Sequence, residues 1–189
     1  MGAGSGAAVR MRRWGVALVM TVGLVTSGLL ALPAASASAS ATWSGTTAPL
    51  AGLSPSDYSA NPNVLLASVS CPAAGDCVAV GSYQGSSGGE QGMVESLAGA
   101  TWSASTIPSG SLSASATNPA VTPVAVACPG SGDCVAVGNY SNASGYSEGF
   151  VDTLANGTWT SAVAPVPATA SGNPEVKLVS VSCPVPGTC

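Results

Sequence analysis

An all-β fold made of repeated four-stranded antiparallel units is what this sequence predicts, and three observations predict it. The chain matches itself at a period of about 57 residues. "LASVSCPAAGDCVAVGSYQ" (66–84) recurs as "PVAVACPGSGDCVAVGNYS" (123–141), and "KLVSVSCPVPGTC" (177–189) opens a third copy. Short Val- and Ala-rich runs alternate along the repeat and are bounded by Gly, Pro and Ser, the pattern of strands between turns. The six cysteines fall into three pairs, 71/77, 128/134 and 183/189, each at the same place in its copy.

Each element of the unit can be justified in turn. Leu66–Cys71 is an apolar, β-rich first strand, and Pro72–Asp76 form a tight loop punctuated by Pro and Gly. Cys77–Tyr83 is a second strand, with Val78 and Val80 on one face and Ala79 and Gly81 on the other. The polar stretch "GSSGGEQG" is a loop. Met93–Leu97 is a third strand, which turns at "AGA" into a fourth, Thr101–Ile107, carrying Trp102. The pair "GMVESLAGATWSASTIP" (92–108) and "GFVDTLANGTWTSAVAP" (149–165) repeats this second half, and "ATWSGTTAP" (41–49) is the tail of the same unit. Pro-, Ser- and Ala-rich spacers (109–123, 165–175) join the copies.

Four strands per repeat is the pattern of a β-propeller blade. One blade cannot bury both its faces, so the units, about 66–108 and 123–165 with a truncated third at 177–189, are expected to stack. A closed propeller typically needs four to eight blades. Residues 42–189 are therefore expected to be a partial β-propeller, an incomplete fragment of a longer protein. A β-sandwich built from the same hairpins is the alternative.

Residues 1–41 read as a signal peptide. "RMRR" supplies a positive start, "WGVALVMTVGLVTSGLLAL" an apolar core, and "PAASASASA" a ladder of small residues, with cleavage expected near 37–41. The apolar run is also about long enough for a retained membrane anchor. Arg12-Arg13 permits a twin-arginine route, although the Trp14-Gly15 that follows departs from that pattern. The product is expected to be secreted, extracellular or at the cell surface, with no stable membrane insertion after the leader is removed.

Charge is scarce, at 6% of residues, while 46% are hydrophobic. Beyond the leader Lys177 is the only basic residue against eight acids. Such a surface repels phosphate backbones and excludes nucleic acid as a partner.

The cysteine pairs have three readings. Zinc sites usually use closer Cys spacings and often His, and this chain contains no His. Thioredoxin-type redox chemistry needs two intervening residues and a lowered thiol pKa. In an exported chain, an even set at fixed spacing reads as disulfides, here between the feet of a hairpin: Cys71 with Cys77, Cys128 with Cys134, Cys183 with Cys189. "SVSCPAAGDCVAVGSY" followed by "TW" resembles the repeat of secreted, disulfide-stapled β-propeller-like proteins of actinobacteria. The resemblance covers roughly 42–189 and rests on the Cys-Pro…Cys-Val-Ala-Val-Gly core; it implies an architecture and transfers no site.

Catalytic candidates are few. Without His, neither a Ser-His-Asp nor a Cys-His arrangement can form within this chain. Carboxylate pairs could serve glycoside hydrolysis, and Glu90, Glu95, Glu148 and Asp152 are the available acids. Glu95 and Asp152 share one repeat position, however, as do Asp76 and Asp133. Recurrence in every unit points to structural roles, with the two "GD" aspartates expected to cap the loop. Trp43, Trp102 and Trp159 could stack sugars but fit better as contacts between units. "NAS" (142–144) and "NGT" (156–158) match the glycosylation sequon, here taken as incidental. No catalytic, cofactor-binding or metal-binding residue and no cofactor is assigned. The expected function is non-catalytic binding or scaffolding at the cell envelope or outside the cell, with a glycan or envelope protein as partner. The alternative is an exported glycoside hydrolase or lyase whose catalytic residues lie in missing blades.

Overall fold

The computed structural model describes residues 47–115 and 118–189, which belong to one unit of the chain, Ser44–Cys189. The signal-peptide reading, its cleavage site and Trp43 lie outside the described residues. The fold is all-β, with two four-stranded antiparallel sheets and no helix among the described residues. Sheet 1 runs in the order β1 (Leu65–Ala73), β2 (Asp76–Gln84), β3 (Glu90–Ala98), β4 (Thr101–Thr106). Sheet 2 repeats it with β5 (Thr122–Gly130), β6 (Asp133–Ser141), β7 (Ser147–Ala155), β8 (Thr158–Val163). Every strand pairs with its chain neighbour, as hairpin connections require.

The loop expected at Pro72–Asp76 is shorter than its sequence implies. β1 and β2 extend past the cysteines to pair Ala73 with Asp76, leaving Ala74 and Gly75 as the turn. Gly75 and its counterpart Gly132 hold φ at 76° and 73°, a region that favours glycine. Pro72 is absorbed by a register shift between Ser70 and Ala73, and Pro129 by one between Ala127 and Gly130. Cys71–Cys77, Cys128–Cys134 and Cys183–Cys189 are disulfide-bonded across these hairpin feet. Asp76 and Asp133 open β2 and β6 opposite Ala73 and Gly130. The hydrogen bond that braces the first turn runs instead from the Gly99 N–H to the Gly75 carbonyl.

The glycine of "VAVG" also has a defined task. A Cβ on Gly81 would collide with the Leu65 carbonyl, and one on Gly138 with the Thr122 carbonyl. At both places the first strand shifts register, between Leu66 and Ser68 or Pro123 and Ala125, and its backbone leans over the glycine.

The two sheets meet through unlike faces. Val78, Val80 and Val94 of sheet 1 share one core with Ala136, Tyr140, Phe150 and Leu154 of sheet 2, filled in by Ile107, Leu112, Val121 and Val126. Ala136, Tyr140, Phe150 and Leu154 are the repeat counterparts of Ala79, Tyr83, Met93 and Leu97. Side chains alternate along a strand, so those four lie on the opposite face of sheet 1 from Val78 and Val80. That opposite face has its own cluster, Tyr83, Met93 and Ala104, packed against Leu50, Leu53, Tyr58 and Val64. A two-fold sandwich would press equivalent faces together. Here the back of one unit packs on the front of the one before, a heterologous order.

The third copy continues the sequence of contacts. Val121 lies against Gly92 of sheet 1, where a Cβ would come within 2.8 Å of its Cγ1. Val176, one repeat later, stands in the same relation to Gly149, at 3.1 Å. The Asn139 side chain clamps the incoming segment, donating to the Leu178 carbonyl (3.2 Å) and accepting from its N–H (3.0 Å).

Candidate functional site

A motif not singled out in the sequence organises these joints. Asn-Pro-x-Val occurs at 61–64, 118–121 and 173–176. Its third residue, Asn63, Ala120 or Glu175, is left-handed each time, at φ 46°, 42° and 48°. Such a backbone is uncommon outside glycine, so three occurrences at one repeat position mark a built turn. The Pro carbonyl accepts from the end of the second strand, Gln84 N–H to Pro62 (2.6 Å) and Ser141 N–H to Pro119 (2.8 Å). Val121 and Val176 then lie against Gly92 and Gly149 of the unit before, while Val64 packs on the Tyr83 cluster of sheet 1. The signal was legible as a third recurring string, outside the cysteine core.

Two regions of sheet 1 present surface that could receive a ligand. The first is the end where residues 56–63 and the β2–β3 loop converge around Tyr83. The Ser86 N–H donates to the Asp57 carbonyl and the Ser59 N–H to the Gln84 carbonyl, tying the two loops together. A cleft of about 390 Å³ lies between Asp57, Ser86, Ser87, Gln91 and Thr106, and one of about 190 Å³ beside Asn63, Gln84 and Glu90. Burial is the main reason the Tyr83 hydroxyl is held above its ordinary pKa, with the nearby Asp57 charge adding to it and a Thr106 hydrogen bond opposing. Glu90 accepts from Ser82 Oγ at 2.6 Å. Hydroxyls and amides set on a rigid sheet end suit a polar, uncharged ligand.

The second region is the back face of sheet 1. A cleft of about 240 Å³ runs between Pro49, Leu66, Val69, Ala79, Glu95 and Trp102. Glu95 is only 2% exposed, its Oε1 has no hydrogen-bond partner, and burial holds its carboxyl above the usual range. Its counterpart Asp152 is fully buried between the sheets, accepting from Ser161 Oγ at 3.0 Å through Oδ1 while Oδ2 has no partner. Burial pushes the Asp152 carboxyl up to about 6, the Ser161 hydrogen bond pulling it back. Because Ala104 stands where sheet 2 has Ser161, Glu95 lacks this donor.

The structure does not bring these acids together. Glu95 and Asp152 occupy the same face of successive sheets, so a whole sheet, about 10 Å, lies between them. Glycosidase carboxylates must flank one bond from a common cleft. Glu148 is taken up at the loop end of sheet 2, accepting from the Tyr140 hydroxyl (2.7 Å) and the Asn142 amide (2.6 Å). That amide belongs to the first sequon; Asn142 is 9% exposed and its Oδ1 accepts from the Ser144 and Tyr146 N–H groups. Trp159 packs on the shared core while Trp102 borders the open cleft, again one sheet apart, so they form no continuous stacking ladder. No group of three or more Cys, Asp or Glu that could hold a metal occurs among the described residues, nor any helix long and apolar enough to cross a membrane.

Fold and surface together define a disulfide-bonded, all-β repeat protein. Disulfides at this density are typical of extracellular proteins. No protein-family model, no curated protein and no solved structure matches the chain.

Proposed function

We propose that this is a secreted, non-catalytic repeat protein of β-propeller architecture that binds or scaffolds at the cell envelope or outside the cell. The observation that carries the reading is the front-to-back stacking of sheets 1 and 2. A heterologous contact repeated with a constant rotation generates a ring when the rotation closes, and a ring of four-stranded antiparallel sheets is a propeller. The three disulfides, the leader-like residues 1–41 and the resemblance of the Cys-Pro…Cys-Val-Ala-Val-Gly core to secreted actinobacterial repeat proteins support export. In this reading binding occurs at the loop end around Tyr83, supported by the hydroxyls and amides that converge there on a rigid sheet, and the partner is a glycan or a glycan-bearing envelope protein.

The test is to purify the exported protein with its disulfides intact and incubate it with isolated envelope polysaccharide. Its N-terminus should fall between Ser38 and Thr42, and it should co-sediment with the polymer. Gln91→Ala with Ser87→Ala should weaken that binding about tenfold, the loss of two or three hydrogen bonds. Release of oligosaccharides or unsaturated products would overturn the reading in favour of the exported hydrolase or lyase.

A further inference from the structure

We propose that the cleft beside Tyr83 takes the acetamido group of an N-acetylated sugar, held as sheet 2 holds the side-chain amide of its own Asn142. This deepens the glycan-binding reading, and rests on it, by naming the sugar.

The β2–β3 and β6–β7 loops follow one backbone path. The Gly85 N–H donates to the Gly89 carbonyl at 2.8 Å, and the Asn142 N–H to the Tyr146 carbonyl at 2.9 Å. The Gly88 N–H donates to the Gly85 carbonyl and the Gly145 N–H to the Asn142 carbonyl, both at 2.9 Å, with φ at 84° and 83°. In sheet 2 this turn closes around the Asn142 side chain. Its Oδ1 accepts from the Ser144 and Tyr146 N–H groups at 2.9 and 3.0 Å. Its Nδ2 donates to Glu148 Oε1, and Glu148 Oε2 accepts from the Tyr140 hydroxyl. A carboxamide is thus the central link between a pair of N–H donors and a side-chain acceptor.

One repeat earlier that link is missing. Gly85 stands for Asn142, Ser87 and Gly89 for Ser144 and Tyr146, Gln91 for Glu148 and Tyr83 for Tyr140. The Ser87 and Gly89 N–H groups and the Gln91 side-chain amide have no hydrogen-bond partner among the described residues. Gly89 is buried, which raises the value of an acceptor for its N–H. The cleft of about 390 Å³ opens on Gly85, Ser87 and Gln91, a volume suited to a small ligand group. Gln91 leans over the vacated position, its Cγ 3.0 Å from where a Cβ on Gly85 would stand, and is the flexible wall that turns aside.

The occupant must offer a carbonyl oxygen to two N–H groups and an N–H to the Gln91 carbonyl. A neutral secondary amide does both. A carboxylate or phosphate would accept from the N–H pair but donate nothing, and the Asp57 carboxylate in the cleft wall repels it. A plain sugar hydroxyl is too short to reach both ends. The acetamido group supplies a carbonyl and an N–H in the same order as the Asn142 side chain.

Calorimetric titration of the protein, purified with its disulfides intact, tests this with two probes: the β-1,4-linked tetramer of N-acetylglucosamine and the glucose tetramer of the same linkage. They differ only in carrying acetamido or hydroxyl groups at one ring carbon. The acetylated tetramer should bind at least about tenfold more tightly. It should shift the Ser87 and Gly89 amide resonances and leave those of Ser144 and Tyr146 in place. Gly85→Asn with Gln91→Glu, which installs the sheet 2 pair, should abolish the preference. Should that variant lose its far-ultraviolet circular dichroism, Gln91→Leu, which removes the acceptor, should abolish it as well. Equal affinity for the two tetramers would overturn the acetamido assignment and leave the glycan reading standing, whereas binding of neither would overturn both. Unmoved Ser87 and Gly89 resonances, or a folded variant that keeps the parent's preference, would also overturn the proposal.

Discussion

Asp152 shows what one side chain costs and controls. It is buried without a cation, and burial lifts its carboxyl to about 6. Between about 4, the unfolded value, and about 6 the folded chain keeps a proton that the unfolded chain has released. Stability therefore falls as pH rises through that window, and the full penalty is present above it. Glu95, also raised by burial, acts with the same sign. Asp152→Asn should flatten the fall and leave the chain more stable at pH 7 by on the order of 2–3 kcal/mol. Urea unfolding of both proteins at pH 4 and pH 7 checks this; an unaltered pH dependence would contradict it. Gly81 illustrates the opposite constraint, space denied by backbone. Gly81→Ala forces its Cβ onto the Leu65 carbonyl and should cost about 2–3 kcal/mol. Gly110→Ala, with open space around it and an ordinary φ, should be near neutral in the same melts.

Among the elements, β1 does two jobs. Its hairpin is cross-linked at the feet, which on the chain-entropy view contributes roughly 2 kcal/mol per bridge. Its free side holds the next unit through Ser68 and Ser70. Ser68→Ala with Ser70→Ala would leave two part-buried N–H groups without acceptors, at about 1–3 kcal/mol each. We expect faster hydrogen exchange at Val126 and Cys128 with the strands inside each sheet unaffected. Exchange rising uniformly over both sheets would instead mean that the hydroxyls support the whole fold. These strands were readable almost to their ends, because Val-Ala alternation and Gly or Pro punctuation report local backbone preference. The Pro72 and Pro129 shifts were not, since extending a hairpin past a proline depends on a bulge that only the paired strand reveals.

For the whole molecule, the decisive feature is that one core serves both sheets. Phe150 is fully buried in it, alongside residues of sheet 1 and the joining segment. Phe150→Ala should cost about 3–5 kcal/mol and shift a single thermal transition seen equally by near- and far-ultraviolet circular dichroism. Two separate transitions would show that the sheets fold independently and share less than their packing implies.

The sequence by itself determined the repeat, the four strands of each unit and the positions of the cysteine pairs, because strand period, turn chemistry and fixed spacing are local and survive without knowledge of neighbours. It could also tell that Glu95 and Asp152 were equivalent. It could not tell that equivalence places them a sheet apart, nor that Val126 is covered while Val69 is open. Those facts depend on which face of one unit meets which face of the next. A strand with Val78 and Val80 on one side and Ala79 and Gly81 on the other is apolar on both, so its pattern leaves the packing direction undecided. Only the tertiary structure, through Val121 against Gly92 and the Ser68–Ser70 grip on β5, made it front to back.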